Sequence, residues 1–128
     1  MFTHRLTYIM RKINYYRKTN GSKPVEKFIL SLDDKFAMKI TWVLNIVREA
    51  EHISNIPTEY LKKLTADIWE IRAKVGRNAF RLLCFFDGQN LIIVTNGFRK
   101  KTQKTPRREI VMSEQRKKEY FERKKKNG

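Results

Sequence analysis

Residues 64–106 constrain the fold most, because they read as three consecutive strands joined by two tight turns and followed by a basic loop. Residues 67–74 alternate between polar and apolar side chains, which is typical of a strand with one face toward a core. Residues 79–87 are apolar on both faces except at Arg81, as expected of a central strand. Residues 91–98 are rich in β-branched side chains, which favour strands.

The turn between the first two of these strands determines which side chains face each other. If residues 76–77 form a two-residue turn with glycine at its first central position, counting outward places Arg72 opposite Arg81 on one face. Like charges directly opposite each other destabilise a sheet, so the pair indicates an anion site between the two arginines. The alternative is a longer turn and a slipped register, with both arginines pointing separately into water.

Composition predicts a folded, single-domain protein that binds a polyanion. A chain of 128 residues can bury one core, and two Trp, five Tyr and eight Phe argue for a folded chain despite a net charge of +16. Such a charge favours polyanions, of which nucleic acid is the leading candidate. A membrane surface is less favoured, because no long basic amphipathic helix carries a bulky apolar face.

Several classes of protein are excluded by what the sequence lacks. A single cysteine, Cys84, excludes an internal disulfide and a cysteine-rich zinc site. Neither a membrane-spanning run of about 20 apolar residues nor a secretory signal is present, so a cytoplasmic location is expected. There is no glycine-rich phosphate loop, metal-ligand cluster or Ser/His/Asp pattern, and we expect neither a metal nor a cofactor.

The N-terminal half predicts a strand and a helical hairpin. Residues 1–10 read as an extension or a short strand, and residues 11–19 read as a first strand that ends in a turn. Pro24 suits the first turn of a helix. Asp33 is the expected N-cap of a second helix that continues to about Glu51. The two helices would pack together on the sheet.

The remaining segments predict a connection and a last helix. Residues 52–66 form the connection, with a short helical turn at residues 58–64. Thr105 as N-cap and Pro106 at the first helical position begin the last helix, and residues 123–128 would be a frayed basic tail. Thirteen Lys and Arg against four Glu follow residue 98, so more than half of the net charge lies there.

Several motifs, taken in chain order, carry a resemblance to a known family. They are KPVEKFILSL, YLKKL, IWEIR, FRLLCFFD and GFRKKTQKTPRREI, of which KKTQKTP after an aromatic residue is the most specific. Over residues 12–123 the sequence resembles the phage-derived HigB-like toxins of the RelE/ParE superfamily. The resemblance implies one small RelE-like α/β (α+β) domain over residues 1–128. Its antiparallel twisted sheet would pack against the N-terminal helical hairpin, with a C-terminal helix.

The resemblance also implies a function. Such proteins are toxins of type II toxin–antitoxin systems, and many relatives are ribosome-dependent endoribonucleases that cut mRNA and are held inactive by a cognate antitoxin. Operator DNA would be contacted indirectly, through the antitoxin complex. One alternative is a non-nucleolytic inhibitor of DNA gyrase, as in other members of the superfamily. Another is a non-toxic RNA- or ribosome-binding module.

Family position further implies roles for individual residues. RNA carries its own nucleophile, the 2′-hydroxyl, so cleavage needs alignment, proton transfer and charge neutralisation. Arg81 would grip the scissile phosphate bidentately and Arg72 would position the backbone. Lys100 or Lys101 would stabilise charge or protonate the leaving oxygen. Further RNA contacts would come from Arg77, Arg99, Lys104, Arg107 and Arg108.

The sequence departs from its relatives at two points. Relatives can carry lysines or a histidine as acid–base groups on the strand that holds WEIR, whereas this chain has Ile68 and Glu70. Glu70 could serve as a base or as a salt-bridge partner of a neighbouring arginine. Relatives can also use an aromatic residue near the start of the last helix for base stacking, and residues 105–110 contain none.

Overall fold

A computed structural model of the protein describes residues 10–127. The expected N-terminal extension therefore lies outside the described residues except for Met10. The described elements, in chain order, are β1 Lys12–Tyr15, α1 Pro24–Leu30, α2 Asp34–Glu49, a 3-10 turn Ile53–Asn55, β2 Leu61–Lys63, β3 Trp69–Val75, β4 Asn78–Phe86, β5 Leu91–Arg99 and α3 Arg107–Asn127.

The strands form one five-stranded sheet in the order β1-β5-β4-β3-β2. Strands β3, β4 and β5 pair antiparallel in chain order, as expected, and β2 adds to β3 in the same sense. The expectation of an antiparallel sheet is corrected at one edge, because β1 pairs with β5 in parallel. Two parallel strands need a long connection between them. Here the connection from β1 to β5 contains the helical hairpin of α1 and α2 and the strands β2 to β4. The predicted mixed α and β fold, with a sheet, an N-terminal hairpin and a C-terminal helix, is confirmed.

The predicted register of the first hairpin is confirmed. Val75 pairs with Asn78, and Arg72 lies directly opposite Arg81. Gly76 has a φ of 60° and Arg77 has a negative φ, which matches a two-residue turn with glycine at its first central position. The turn therefore places both arginines on one face of the sheet.

Helices cover both faces of the sheet. The hairpin of α1 and α2 packs on one face through Val25, Phe36 and Ile40, against strand residues such as Ile71 and Leu82. On the other face, α3 contributes residues that pack over a smaller apolar cluster, which contains Tyr16, Ile68, Leu83, Phe85 and Ile93. Because strand side chains alternate in direction, the arginine pair shares the α3 face.

A β-bulge in β5 fixes the start of α3. Leu83 pairs with Asn96 and Cys84 pairs with Val94, so Thr95 is an extra residue and the ladder shifts there. The Thr95 hydroxyl lies 2.6 Å from the hydroxyl of Ser113 in α3. The Asn96 side-chain amide donates to the Glu109 carboxylate over 2.9 Å. The bulge thus points two buried polar side chains at the first turns of the helix.

Three local expectations are corrected. Residues 58–64 are not a helical turn: a turn leads into β2, which pairs with β3. Thr105 does not cap α3, because its hydroxyl donates to Glu70 instead. Residues 123–127 are helical rather than frayed, since Arg123 donates to the Arg17 carbonyl and Lys124 binds Asp87.

Within residues 10–127 no helix is long and apolar enough to cross a membrane.

Candidate functional site

A buried carboxylate stands between the two facing arginines. Glu70 is 1% exposed, and its Oε1 lies 3.3 Å from the Nε atoms of both Arg72 and Arg81. Its Oε2 accepts a hydrogen bond from the Thr105 hydroxyl. The anion that two facing arginines require is therefore supplied in part by the chain itself, and of the two roles expected for Glu70 the salt-bridge role matches this geometry.

Arg81 lies beneath this carboxylate. Its side chain is 8% exposed, and Nη1 donates to the carbonyl of Phe80 over 3.1 Å. Its Nε–H lies within ion-pair distance of Glu70 but is not aligned for a hydrogen bond. Burial lowers the pKa of Arg81, and the neighbouring Arg72 lowers it further, whereas Glu70 raises it. In this arrangement Arg81 contributes positive charge to the site, but its buried guanidinium is not open to a ligand.

Arg72 is the arginine that faces solvent. Its side chain is 25% exposed, and Nη1 donates to the carbonyl of Thr58 over 3.1 Å. It lines a cavity of about 250 Å³, together with Lys62, Leu64, Glu70, Lys100, Gln103, Lys104, Thr105 and Ile110. Four cations thus surround this cavity, which also receives the Glu70 carboxylate.

Lys100 joins the cavity where β5 leaves the sheet. Its backbone N–H donates to the carbonyl of Ala79 over 2.8 Å, which fixes the start of the basic loop. Burial lowers the pKa of Lys100, and Arg81, Arg72 and Lys62 lower it further, whereas Glu70 raises it. An ammonium group with a lowered pKa gives up its proton more readily than an ordinary lysine.

Sequence reasoning missed Lys62. It pairs across the sheet with Glu70, because β2 runs antiparallel to β3. The signal was present in YLKKL: Leu61 is buried while Lys62 and Lys63 are exposed, so the segment is a short edge strand rather than a helical turn. Short edge strands rich in lysine are a common way to end a sheet.

A larger cavity lies on the other side of the basic loop. Its volume is about 880 Å³, and it is lined by Phe28, Gly97, Phe98, Arg99, Lys101, Thr102, Lys104, Thr105, Pro106, Arg107, Arg108 and Glu109. Lys104 and Thr105 line both cavities, so the loop of residues 100–106 separates them. Of the residues expected to contact RNA, all but Arg77 line this second cavity.

Two predicted RNA-binding residues lie apart from Glu70. The guanidinium of Arg99 lies 5.0 Å from the ring centre of Phe80 and 5.3 Å from that of Phe36. Its Nη1 also donates to the Asn78 side chain over 2.7 Å. Arg99 therefore packs on the face covered by the helical hairpin. Arg77 is exposed in the hairpin turn, outside the residues that line either cavity.

The described residues contain no cluster of three or more His, Cys, Asp or Glu side chains that could hold a metal ion. Cys84 is fully buried in β4, and burial raises the pKa of its thiol, which disfavours the nucleophilic thiolate. The Arg and Lys side chains that line the cavity with Glu70 can offer charge stabilisation and proton transfer.

The sheet between a helical hairpin and a long helix, with a cluster of cations on the α3 face, defines a small α+β protein of the RelE-like type. The chain belongs to the family described as phage derived protein Gp49-like (DUF891), whose model matches residues 27–118. That family is associated with RelE/HigB-like toxins. A comparison with curated proteins finds no match.

Proposed function

We propose that this protein is a HigB-like toxin of a type II toxin–antitoxin system, and that it cuts mRNA on the ribosome without a metal ion. The observation that carries the proposal is the cavity in which Lys62, Arg72, Lys100 and Lys104 surround Glu70. Family membership supports the toxin context. Four cations around one carboxylate leave a surplus of positive charge, which suits an anionic phosphodiester better than a neutral ligand.

In the proposed reaction the 2′-hydroxyl of RNA loses its proton to solvent water and attacks the neighbouring phosphorus, which forms a 2′,3′-cyclic phosphate. The bond from phosphorus to the 5′-oxygen breaks, and that oxygen takes up a proton. Negative charge accumulates on the non-bridging oxygens, where preorganised cations lower the barrier most effectively. Arg72 is the group we assign to these oxygens, because its guanidinium is solvent-facing and held by the Thr58 carbonyl. Arg81 adds positive charge from beneath Glu70.

Lys100 is assigned to the leaving oxygen. Its lowered pKa suits proton donation, and its position at the end of β5 places it beside Arg72 in the same cavity. Glu70 is assigned a positioning role, since one oxygen is held by the two guanidinium groups and the other by Thr105. Lys101 belongs to the second cavity, where it can contact the RNA backbone.

The proposal implies particular partners. A net charge of +16 favours electrostatically steered association with the ribosome and its mRNA. A cognate antitoxin would hold the toxin inactive, and operator DNA would be reached through that complex. Because mRNA on the ribosome is a cytoplasmic substrate, the proposed function implies a cytoplasmic protein.

The test is induced expression without antitoxin, with mapping of new 5′ ends on cellular mRNA. The wild type is compared with Lys100→Ala and with a matched control, Lys118→Ala, an exposed lysine of α3 that lines neither cavity. We expect cuts within translated frames for the wild type and the control, and a strong loss for Lys100→Ala.

Other outcomes would identify a different class of protein. Growth arrest with intact RNA and accumulating DNA breaks would identify a gyrase inhibitor, for which the full engagement of Glu70 by its neighbours is the supporting observation. Salt-sensitive ribosome binding with neither arrest nor cuts would identify a binding module.

A further inference from the structure

The cavity that contains Glu70, called the small cavity below, combines an anion-binding surface with an amine. Lys62, Arg72 and Lys104 line it together with Lys100, and its volume is about 250 Å³. Sites for drug-sized ligands are usually larger, at roughly 300–1,000 Å³. The small cavity therefore suits a small anion, such as a phosphate group that carries one short substituent.

Lys100 differs from the other two lysines of the small cavity. It is partly buried, whereas Lys62 and Lys104 are exposed. Its backbone is held at the end of β5, because its N–H donates to the carbonyl of Ala79 over 2.8 Å. The amine of Lys100 is therefore carried by a fixed position of the sheet, whereas Lys104 belongs to the loop that follows.

The surroundings of Lys100 favour its neutral, nucleophilic form. A lysine attacks a carbonyl carbon only as the neutral amine, and a neighbouring cation is one way to activate it. Burial lowers the pKa of Lys100. Arg81, Arg72 and Lys62 lower it further, and Glu70 raises it. The cations of the small cavity thus attract an anion and also increase the fraction of Lys100 that can attack it.

The next residue along the chain provides an internal comparison. Lys101 is exposed, and it lines the larger cavity on the other side of the basic loop but not the small cavity. The two lysines are adjacent in sequence, so a reagent that recognised only the basic segment would modify both. A preference for Lys100 over Lys101 would therefore report the small cavity itself.

We propose that Lys100 is a modification site, at which a small acyl phosphate such as acetyl phosphate binds in the small cavity and transfers its acyl group to Nζ. The phosphate group contacts Arg72 and Lys104, which leaves the carbonyl carbon facing Lys100. The neutral nitrogen attacks this carbon, a C–N bond forms, and the bond from the carbon to the bridging phosphate oxygen breaks. Inorganic phosphate leaves and takes up the proton that the nitrogen loses.

Acylation of Lys100 switches off the proposed reaction. The ammonium group becomes a neutral amide, which has no positive charge and no acidic proton to give to a leaving oxygen. This consequence rests on the proposed ribonuclease function, whereas the acyl transfer itself does not require RNA. The site therefore connects the activity of the protein to the concentration of small acyl phosphates around it.

The first test measures acetylation of the purified full chain by acetyl phosphate, residue by residue, with mass spectrometry. We expect Lys100 to react roughly 10-fold or more faster than Lys101, because binding brings the reacting atoms together. An excess of inorganic phosphate, at matched ionic strength, should remove this preference. A neutral acetylating ester carries no phosphate group, so its rate at Lys100 should not respond to inorganic phosphate.

Two variants separate binding of the phosphate group from reactivity of the amine. Arg72→Ala removes a guanidinium assigned to the phosphate, and it should slow acetylation of Lys100 by acetyl phosphate more than acetylation by the neutral ester. Lys118→Ala, a change at an exposed lysine that lines neither cavity, should leave both rates unchanged. If Arg72→Ala does not fold, competition by inorganic phosphate in the wild type decides the question.

The second test places acetyl-lysine in place of Lys100, or of Lys118 as a control, by genetic code expansion. Cutting of mRNA is then measured in a reconstituted ribosome complex. We expect the protein acetylated at Lys100 to lose cutting and the protein acetylated at Lys118 to keep it.

Three results would overturn the proposal: Lys100 reacts no faster than Lys101, inorganic phosphate does not compete, or the protein acetylated at Lys100 cuts as fast as an active wild type. Failure of the modification site and failure of the function are distinguishable. Preferential, phosphate-sensitive acetylation in a protein that never cuts mRNA would leave the acyl-phosphate site and remove the ribonuclease, whereas cutting without preferential acetylation would do the reverse.

Discussion

Glu70 illustrates how a buried charge can be tolerated and used. Removing a carboxylate from water costs several kcal/mol unless partners compensate for it. Here Arg72 and Arg81 both lie 3.3 Å from Oε1, and the Thr105 hydroxyl binds Oε2. The same contacts restrain the two guanidinium groups and attach the basic loop to the sheet. Glu70 therefore both stabilises the local fold and holds the two arginines of the site in place.

The first prediction concerns the removal of this carboxylate. Glu70→Ala leaves Arg81 buried without an anion, and we expect the free energy of unfolding to fall by about 3–5 kcal/mol. Glu70→Gln should cost less, because its amide oxygen can still accept from Thr105. Urea unfolding of both variants measures the difference. A Glu70→Ala protein as stable as the wild type would show that the pair does not support the fold.

The arginine pair was predictable from sequence, and a salt bridge was one of two roles expected for Glu70, whereas the burial of its carboxylate was not predictable. Gly76 requires a positive φ, and that single constraint set the register that places Arg72 opposite Arg81. The burial of Glu70 depends instead on the loop of residues 100–106 folding back, with Thr105 leaving its capping position to bind the carboxylate. No local pattern encodes a contact between residues 35 positions apart.

At the level of elements, the C-terminal half of α3 is attached to the sheet by polar contacts as well as by the apolar packing of Tyr120 and Phe121 on Phe85. Tyr120 and Lys124 both donate to Asp87, each over 2.7 Å. The Tyr16 hydroxyl donates to Glu119 over 2.6 Å, and Arg123 donates to the same carboxylate. These bonds explain why the helix continues to Asn127, where the lysine-rich sequence alone predicts fraying.

The docking of α3 should depend on pH. The hydrogen bonds from Lys124 and Tyr120 lower the pKa of Asp87, and those from Tyr16 and Arg123 lower the pKa of Glu119. A carboxylate whose pKa is lower in the folded state contributes stability above its unfolded pKa of about 4, and that contribution is lost as the pH falls through the folded value. We expect the melting temperature to fall as the pH drops below about 5.

The control for this prediction is the double variant Asp87→Asn with Glu119→Gln. It should be less stable at neutral pH and should show a flatter melting profile in the acidic range. Thermal unfolding followed by circular dichroism at a series of pH values measures both effects. Identical acid profiles for the wild type and the double variant would show that these carboxylates do not attach the helix.

Over the whole molecule, the positive charge is spread around Glu70 and is not confined to the residues that contact its carboxylate. Thirteen of the 29 Lys and Arg residues follow residue 98, and six of these thirteen line one or both cavities. Such a field attracts a polyanion over distances of about 10 Å at moderate salt. The sheet then presents Arg72, Lys62 and Lys100 at the place where a phosphate would bind.

The central claim is that this cavity cuts RNA, and the direct measurement is single-turnover cleavage of mRNA in a reconstituted ribosome complex. The wild type is compared with Arg72→Ala and with Lys74→Ala, an exposed control on the same strand that lines neither cavity. We predict a roughly 10²- to 10³-fold slower rate for Arg72→Ala, because one preorganised charge is lost, and a nearly unchanged rate for the control. A folded Arg72→Ala protein that cuts at the wild-type rate would contradict the account.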